Sequence, residues 1–227
     1  MDIIKKPKMS VCIPTSDMAD KYNLFKRCLN SLWNQSFQDF EIVVTDNSED
    51  DVIERICDWY KAGIRYYRNP IKGMAQNTNE AIKKSKGELI KILYMDDYLT
   101  HDDALLFIVN SFTKGWLVTG CLHDYNGMLQ NPHHAMYNNK IYTGNNTIGS
   151  PSVLTIENKN PLLFDENMTW LLDCDYFYRL YQRYGEPTVL DDLNVIMGLH
   201  EAQATHTMGD DRKIWEQEYL MKKYEHA

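Results

Sequence analysis

The stretch Gly87-Glu88-Leu89-Ile90-Lys91-Ile92-Leu93-Tyr94-Met95-Asp96-Asp97-Tyr98-Leu99 reads as a strand of mostly apolar residues that ends in two adjacent carboxylates. An apolar strand of this kind belongs in a core, so the acids emerge at its end, on the rim of a sheet. Two neighbouring carboxylates repel, and a fold tolerates them when water, hydrogen-bond donors or a cation meet them. A solvated turn satisfies the same pattern, so the pair acquires meaning only from its surroundings.

Upstream, the chain alternates. Met9 to Ile13 reads as a short strand stopped by Pro14, and Tyr22, Phe25, Leu29, Leu32 and Trp33 recur at helical spacing. Glu41 to Thr45 is a second strand, followed by a helix marked by Ile53, Ile56, Cys57 and Tyr60. Ile64 to Tyr67 is a third strand, and Met74 to Ser85 a third helix closed by Gly87. The strand before Asp96-Asp97 is the fourth, and Leu105, Ile108, Val109 and Phe112 mark the helix after it. Strand alternating with helix predicts an α/β fold with a mostly parallel sheet. Downstream, 120–160 is rich in Asn, Gly and His, interrupted by Pro132 and Pro151, and reads as loops with short strands. A helix is predicted over Leu172 to Tyr184, a strand over Val195 to Leu199, and a C-terminal helix over Lys213 to Tyr224, which packs on the sheet or against a second copy in a homodimer. No linker separates two folding units, so 1–227 reads as a single domain with a nucleotide-type half (about 9–119) and an irregular half (about 120–227).

Composition bounds the function. The 227 residues are 44% hydrophobic and 25% charged, an ordinary globular balance, and the net charge of −8 disfavours a nucleic-acid partner. No apolar run reaches the length of a membrane span, and the first residues show no apolar leader. Five scattered cysteines without Cys-x-x-Cys spacing suit buried thiols in a cytoplasmic protein and give no zinc site.

In open parallel sheets ligands bind beyond the carboxyl ends of the strands. Here those ends carry Pro14-Thr15, Asp46-Asn47-Ser48, Arg68-Asn69 and Asp96-Asp97. There is neither a Gly-x-Gly-x-x-Gly turn nor a Gly-Lys-Ser/Thr loop, so the rim carries acids without a phosphate cradle. Acids in that setting suggest phosphates held through a bridging divalent cation.

The order of these segments resembles the family 2 glycosyltransferases, with the GT-A fold, a Rossmann-like nucleotide-binding sheet followed by an irregular acceptor-side half. Val11-Cys12-Ile13-Pro14-Thr15 looks like the family's opening strand, and Cys28-Leu29-Asn30-Ser31-Leu32-Trp33-Asn34-Gln35-Ser36 like its first helix. Phe40 to Ser48 resembles its second strand. Gly73, Asn79, Ala81 and Gly87-Glu88 fit its glycine and asparagine spacing, and Tyr94-Met95-Asp96-Asp97 stands at its Asp-x-Asp signature. Phe164-Asp165-Glu166, Asp173 to Arg179, and His200 resemble its later segments.

The resemblance implies an inverting hexosyltransferase that uses a nucleotide-sugar donor, UDP-linked, and a carbohydrate or glycoconjugate acceptor. It places Thr15 and Asp46 on the base and ribose, with Pro14, Asn69, Gly73 and Asn79 in the same donor set. Asp96 would face the ribose or donor sugar. Asp97 would hold a metal, Mn²⁺ or Mg²⁺, with His200 as a further ligand or a diphosphate contact. The chain departs from the pattern at Tyr94, which replaces the usual first acid and leaves fewer carboxylates for a cation, and at Leu172, where an acid usually precedes Asp173. Asp173 is the implied general base. Helix geometry chooses it independently, because Asp175 and Arg179 stand four apart with the acid first, a favourable ion pair, which leaves Asp173 free. Ser150 and Trp170 are acceptor candidates. Tyr94 and Leu172 also suit a catalytically silent nucleotide-sugar-binding protein, and sugar transfer onto modified nucleic acid is a third reading that the acidic charge disfavours.

Overall fold

The computed structural model describes residues 6–60, 63–201 and 203–225. Most of the amino-terminal stretch in which no leader was read therefore lies outside the described residues, as does Ala202 in the segment after His200.

Strand β1 (Met9–Thr15) is buried along its whole length, polar Ser10 and Thr15 included. A strand covered on both faces belongs at the centre of a parallel sheet. Helix α1 (Lys21–Trp33) buries Phe25, Cys28, Leu29 and Leu32, one stripe at helical spacing, and leaves Tyr22 and Trp33 exposed. Strand β2 (Phe40–Asp46), helix α2 (Val52–Tyr60), strand β3 (Ile64–Arg68), helix α3 (Met74–Lys84) and strand β4 (Leu89–Ile92) complete the alternation. The four strands are parallel, in the order β3-β2-β1-β4. At Gly87 the chain passes so close to β1 that a Cβ would lie 2.4 Å from the Ser10 amide nitrogen, which explains a glycine just before β4.

The acid pair does not end the strand, as the sequence suggested. Strand β4 stops at Ile92, and residues 94–97 form a turn closed by the Asp97 amide donating to the Tyr94 carbonyl (3.0 Å). Strand β5 (Tyr98–Leu99) follows immediately and, after helix α4 (Ala104–Ser111), the sheet resumes.

The second half is more regular than its composition implied. Strand β6 (Trp116–Tyr125) runs ten residues and strand β9 (Thr188–Leu199) twelve, paired in parallel. Strand β7 (Met128–His133) is a hairpin partner of β6, and β8 (Leu154–Glu157) pairs antiparallel with both β4 and β6. Two features hid the long strands. Gly120 reads as a breaker but sits at a shift in register, and Asp191-Asp192 bulge outward there, exposed, between Leu190 and Leu193. The full order is β3-β2-β1-β4-β8-β6-β9-β5, so one mostly parallel sheet runs through both halves.

Helix α5 (Leu172–Tyr184) follows a long approach from β8, and helices α6 (Ala204–Thr207) and α7 (Asp210–Lys223) follow β9. Helix α7 is anchored on α5 and its approach. Lys223 Nζ (2.7 Å) and the Tyr224 hydroxyl (2.6 Å) both reach the fully buried Asp175, which also accepts from Arg179 Nε (2.8 Å). The ion pair expected along α5 is thus present, within a larger network.

Candidate active site

A cleft of about 870 Å³ opens at the carboxyl ends of β1, β2 and β4. Its walls include Pro14–Met18, Asn47, Lys72–Met74 and Tyr94–Asp96 from the first half, and Asn146, Gly149–Pro151, Thr169–Trp170, Leu172–Asp173 and His200 from the second. Of the residues singled out from sequence, Pro14, Thr15, Gly73, Asp96, Ser150, Trp170, Asp173 and His200 come together here.

Asp46, Asn69, Asn79 and Asp97 do not line the cleft. Asp46 is fully buried and its oxygens are committed within the protein. It accepts from Thr15 Oγ1 (3.0 Å), the Ser48 amide (2.8 Å) and the Tyr66 hydroxyl (2.8 Å), with Arg68 at 3.1 Å. Its position fixes the ends of β1, β2 and β3 behind the cleft. Asn69 donates to Asn77 Oδ1 (3.2 Å), and Asn77 donates to the carbonyls of Thr15 (2.8 Å) and Thr45 (2.9 Å). Asn79 exchanges two hydrogen bonds with the Phe164 backbone (2.7 and 3.0 Å), joining α3 to the approach to α5. These buried amides set the floor on which the cleft rests.

The acid turn separates its two carboxylates by environment. Asp97 points inward, accepting from the Gly198 amide (3.0 Å) and Ser150 Oγ (3.4 Å). Burial and the neighbouring Asp96 charge push its carboxyl well above the ordinary carboxylate range. Beneath it the fully buried Lys91 donates to the Ser152 carbonyl, and burial pushes its ammonium down to about 7. Asp96 faces the cleft, with Oδ2 2.9 Å from His200 Nε2, and this hydrogen bond raises the imidazole above its ordinary value. Sequence position put the metal on Asp97, but the side of the turn that meets the cleft belongs to Asp96, because alternation within a tight turn sends neighbouring side chains opposite ways.

Arg27 braces the turn from α1, donating to the Asp96 carbonyl (2.9 Å) and pairing with Asp124 (2.6 Å) while its guanidinium lies 4.2 Å from the Tyr98 ring centre. Gly198 leaves room for this: a Cβ there would lie 2.4 Å from the Asp96 carbonyl oxygen and 2.9 Å from Arg27 Nη2. Gly198→Ala is therefore expected to destabilise the fold by about 1–3 kcal/mol, the usual cost of overpacking. It should also displace Asp96, so nucleotide-sugar affinity falls with the melting temperature; calorimetry on the variant reads both.

Asp173 occupies the first turn of α5, partly exposed to the cleft. Its Oδ2 accepts from Asn146 Nδ2 (2.7 Å) and its Oδ1 from the Cys174 amide (2.7 Å), while burial pushes the carboxyl up to about 6. Asn146 also donates to the Gly149 carbonyl and accepts from the amides of Ile148 and Gly149, so one amide ties the Ser150 loop to Asp173. Sequence reading gave Asn146 no role and gave none to Lys72, His123 or His133, all of which line the cleft. Asparagine and histidine in a loop-rich stretch carry no periodic signal.

Tyr94 lines the cleft with its hydroxyl buried, and burial together with the charges of Asp173, Asp96 and Asp97 raises its phenol above its ordinary value. It is a neutral wall and no cation ligand. Among the described residues no group of three or more His, Cys, Asp or Glu side chains converges as a ready metal site. Asp96 and His200 alone offer one carboxylate and one imidazole. That set fits a cation such as Mn²⁺ or Mg²⁺ that takes its remaining ligands from phosphate and water.

A mostly parallel nucleotide-type sheet with a cleft beyond the carboxyl ends of its strands is the GT-A arrangement that the sequence resemblance implied. The family model for Glycosyl transferase family 2 matches residues 10–181, and the chain belongs to that family. It is 21% identical over 210 residues to the putative colanic acid biosynthesis glycosyl transferase WcaA of Escherichia coli K12, covering 87% of this chain and 74% of that protein. Over 130 residues it is 31% identical to the GalNAc(5)-diNAcBac-PP-undecaprenol β-1,3-glucosyltransferase of Campylobacter jejuni, covering 54% of this chain and 41% of that protein. An uncharacterised Mycobacterium tuberculosis protein is 38% identical over 96 residues, covering 41% of this chain and 29% of that protein. Against these last two, the chain therefore spans less than half of the relative's length. Among solved structures, S. aureus TarS in complex with UDP-GlcNAc superposes with a TM-score of 0.73 at 20% identity, covering 97% of this chain and 67% of that one. The mannosyltransferase PcManGT of Pyrobaculum calidifontis, in complex with GDP-Man and Mn²⁺, gives 0.66 at 14% identity, covering 99% and 66%.

Proposed function

We propose that this domain transfers a hexose from a UDP-sugar to a hydroxyl of a carbohydrate or glycoconjugate, with inversion at the anomeric carbon. The observation that carries the proposal is that Asp173 and the Asp96–His200 pair share one cleft beyond the sheet while Asp175, two residues from Asp173, is committed to Arg179, Lys223 and Tyr224. The two carboxylate sites have different tasks.

Asp173, ionised above about pH 6, accepts the proton of the incoming hydroxyl while that oxygen bonds to the anomeric carbon. The bond from that carbon to the diphosphate oxygen breaks from the opposite face, and its electron pair leaves with UDP. Asn146 orients the base by holding one of its oxygens. A divalent cation bound by Asp96 and His200 would supply charge neutralisation for the leaving diphosphate. Lys72, exposed on the donor-side wall, adds a cationic group near the same phosphates. The Trp170 ring offers a stacking face to an acceptor sugar. The UDP preference is supported by the sequence resemblance and by the ligand that TarS holds.

The test is UDP release from UDP-glucose, UDP-galactose and UDP-GlcNAc with and without Mn²⁺, read beside thermal shifts for the same ligands. Binding with no turnover in any combination would instead favour a silent nucleotide-sugar-binding protein. Asp96→Asn is expected to weaken Mn²⁺-dependent UDP affinity by at least about tenfold, the scale on which even indirect metal partners act. Unchanged affinity would take the cation away from Asp96.

A further inference from the structure

Helix α5 lacks a cap of its own. Its N-cap residue is Leu171, whose side chain accepts nothing, yet Asp173 stands in the first turn that follows. The amides before that turn are met from 45 residues away in sequence. Glu216, in the middle of α7, is fully buried, and its Oε2 accepts from the amides of Trp170 (2.8 Å) and Leu171 (2.9 Å). Its Oε1 accepts from the Thr169 amide (2.8 Å) and from Arg212 Nε (3.1 Å). Three consecutive backbone N–H groups converging on one carboxylate, next to a helix N-terminus, form an anion-binding nest filled by the protein's own side chain.

The nest is placed where it matters. Thr169, Trp170, Leu172 and Asp173 all line the cleft. The rest of the approach is held by the same helix: Arg212 Nη2 donates to the Asn167 carbonyl (2.6 Å), and Asp165 accepts from the Tyr219 hydroxyl (2.9 Å) and Lys223 Nζ (2.6 Å). From 165 to 171 the segment that delivers Asp173 is therefore tied to α7, with Glu216 at its last and most buried point.

We propose that Glu216 is a positioning residue, whose carboxylate fixes the 169–171 backbone and thereby the direction in which Asp173 and Trp170 meet the substrates. The proposal rests on Asp173 being the general base. A capping carboxylate that served stability alone could release the approach by fractions of an ångström without consequence. One that aims a base cannot, because a displacement of about 1 Å at a reacting group costs about 100-fold in rate.

The variant Glu216→Gln keeps the shape but removes the charge and replaces one acceptor oxygen by an NH2 group that faces N–H donors. Its UDP release at saturating UDP-sugar and Mn²⁺ is expected to fall about 100-fold, with the donor KM and the Mn²⁺-dependent affinity for UDP unchanged. The carboxyl of Asp173, followed by ¹³C NMR, is expected to titrate below about 6, toward the ordinary carboxylate range, as the loosened turn admits water. A folded Glu216→Gln protein with wild-type turnover and an unmoved Asp173 titration overturns the proposal, as does a raised donor KM at unchanged kcat. If that variant does not fold, Arg212→Gln replaces it: it leaves the carboxylate in place and removes the Nε and Nη2 anchors. The same two readouts then decide, with a smaller loss of kcat in favour and none against. Failure of the base assignment is distinguishable, since Asp173→Asn would then retain turnover while the NMR titration in the Glu216 variant still reports whether the carboxyl is held.

Discussion

Asp173→Asn is expected to lower sugar transfer by about 10²- to 10⁴-fold, the range over which a positioned general base contributes, with UDP-sugar affinity unchanged. The asparagine fills the same space at the start of α5 and keeps one acceptor oxygen, for Asn146 or for the Cys174 amide, so the proton acceptor is lost together with one local hydrogen bond. Wild-type kcat/KM, which reports the free enzyme, should rise as pH increases through about 6, where the carboxyl ionises, and flatten above it. The sign follows from burial. The surroundings penalise the charged form, so the base is withdrawn at acid pH over a range in which an exposed aspartate would already be ionised. The acid limb should vanish in Asp173→Asn, whose residual rate has no carboxyl to titrate. Equal turnover in variant and wild type, or an acid limb that persists, would remove Asp173 as the base and leave the cleft a binding site.

The sequence announced the first half of the fold through period: buried stripes on α1 and α2 and short β-branched strands need no tertiary information. It announced the second half poorly, since β6 and β9 bend at a shifted register where Gly120 and the outward Asp191-Asp192 mimic a loop. For the site, residue types at strand ends located the rim but not which side chains turn toward it. Asp46 and Asp97 are as acidic in sequence as Asp96, yet one is surrounded by Thr15, Ser48 and Tyr66 and the other by Gly198 and Ser150. Lys91, in a strand read as mostly apolar, is fully buried, and nothing in a single sequence says that a lysine lies beneath an acid turn. Glu216 was invisible for a related reason: a glutamate on a C-terminal helix looks solvated until the three amides that receive it are brought alongside. The Asp175–Arg179 pair was legible because its geometry is local to one helix.

That local pair gives the second large effect, and it separates two acids that share one turn of α5. Asp175→Asn is expected to destabilise the protein by about 3–5 kcal/mol, the cost of removing one partner from a buried ionic network. Asp175 is fully buried and accepts from Arg179, Lys223 and Tyr224, so the neutral side chain leaves two cations facing an amide and loosens α7 from α5. At roughly 2–4 °C per kcal/mol for a chain of this size, the melting temperature should fall by about 10 °C. Asp173→Asn should cost far less. Its folded-state carboxyl lies above the ordinary value, so whatever stability it adds is present in acid and lost as pH rises through about 6. Near pH 8 the ionised group carries a burial penalty, and a neutral asparagine removes it while turning its NH2 toward one of two donors, so the melting temperature should change little there. Differential scanning calorimetry at pH 8 on the two variants reads the contrast directly. A large destabilisation at position 173 with little at 175 would reverse their assignments, making Asp173 the structural acid and freeing Asp175 for chemistry.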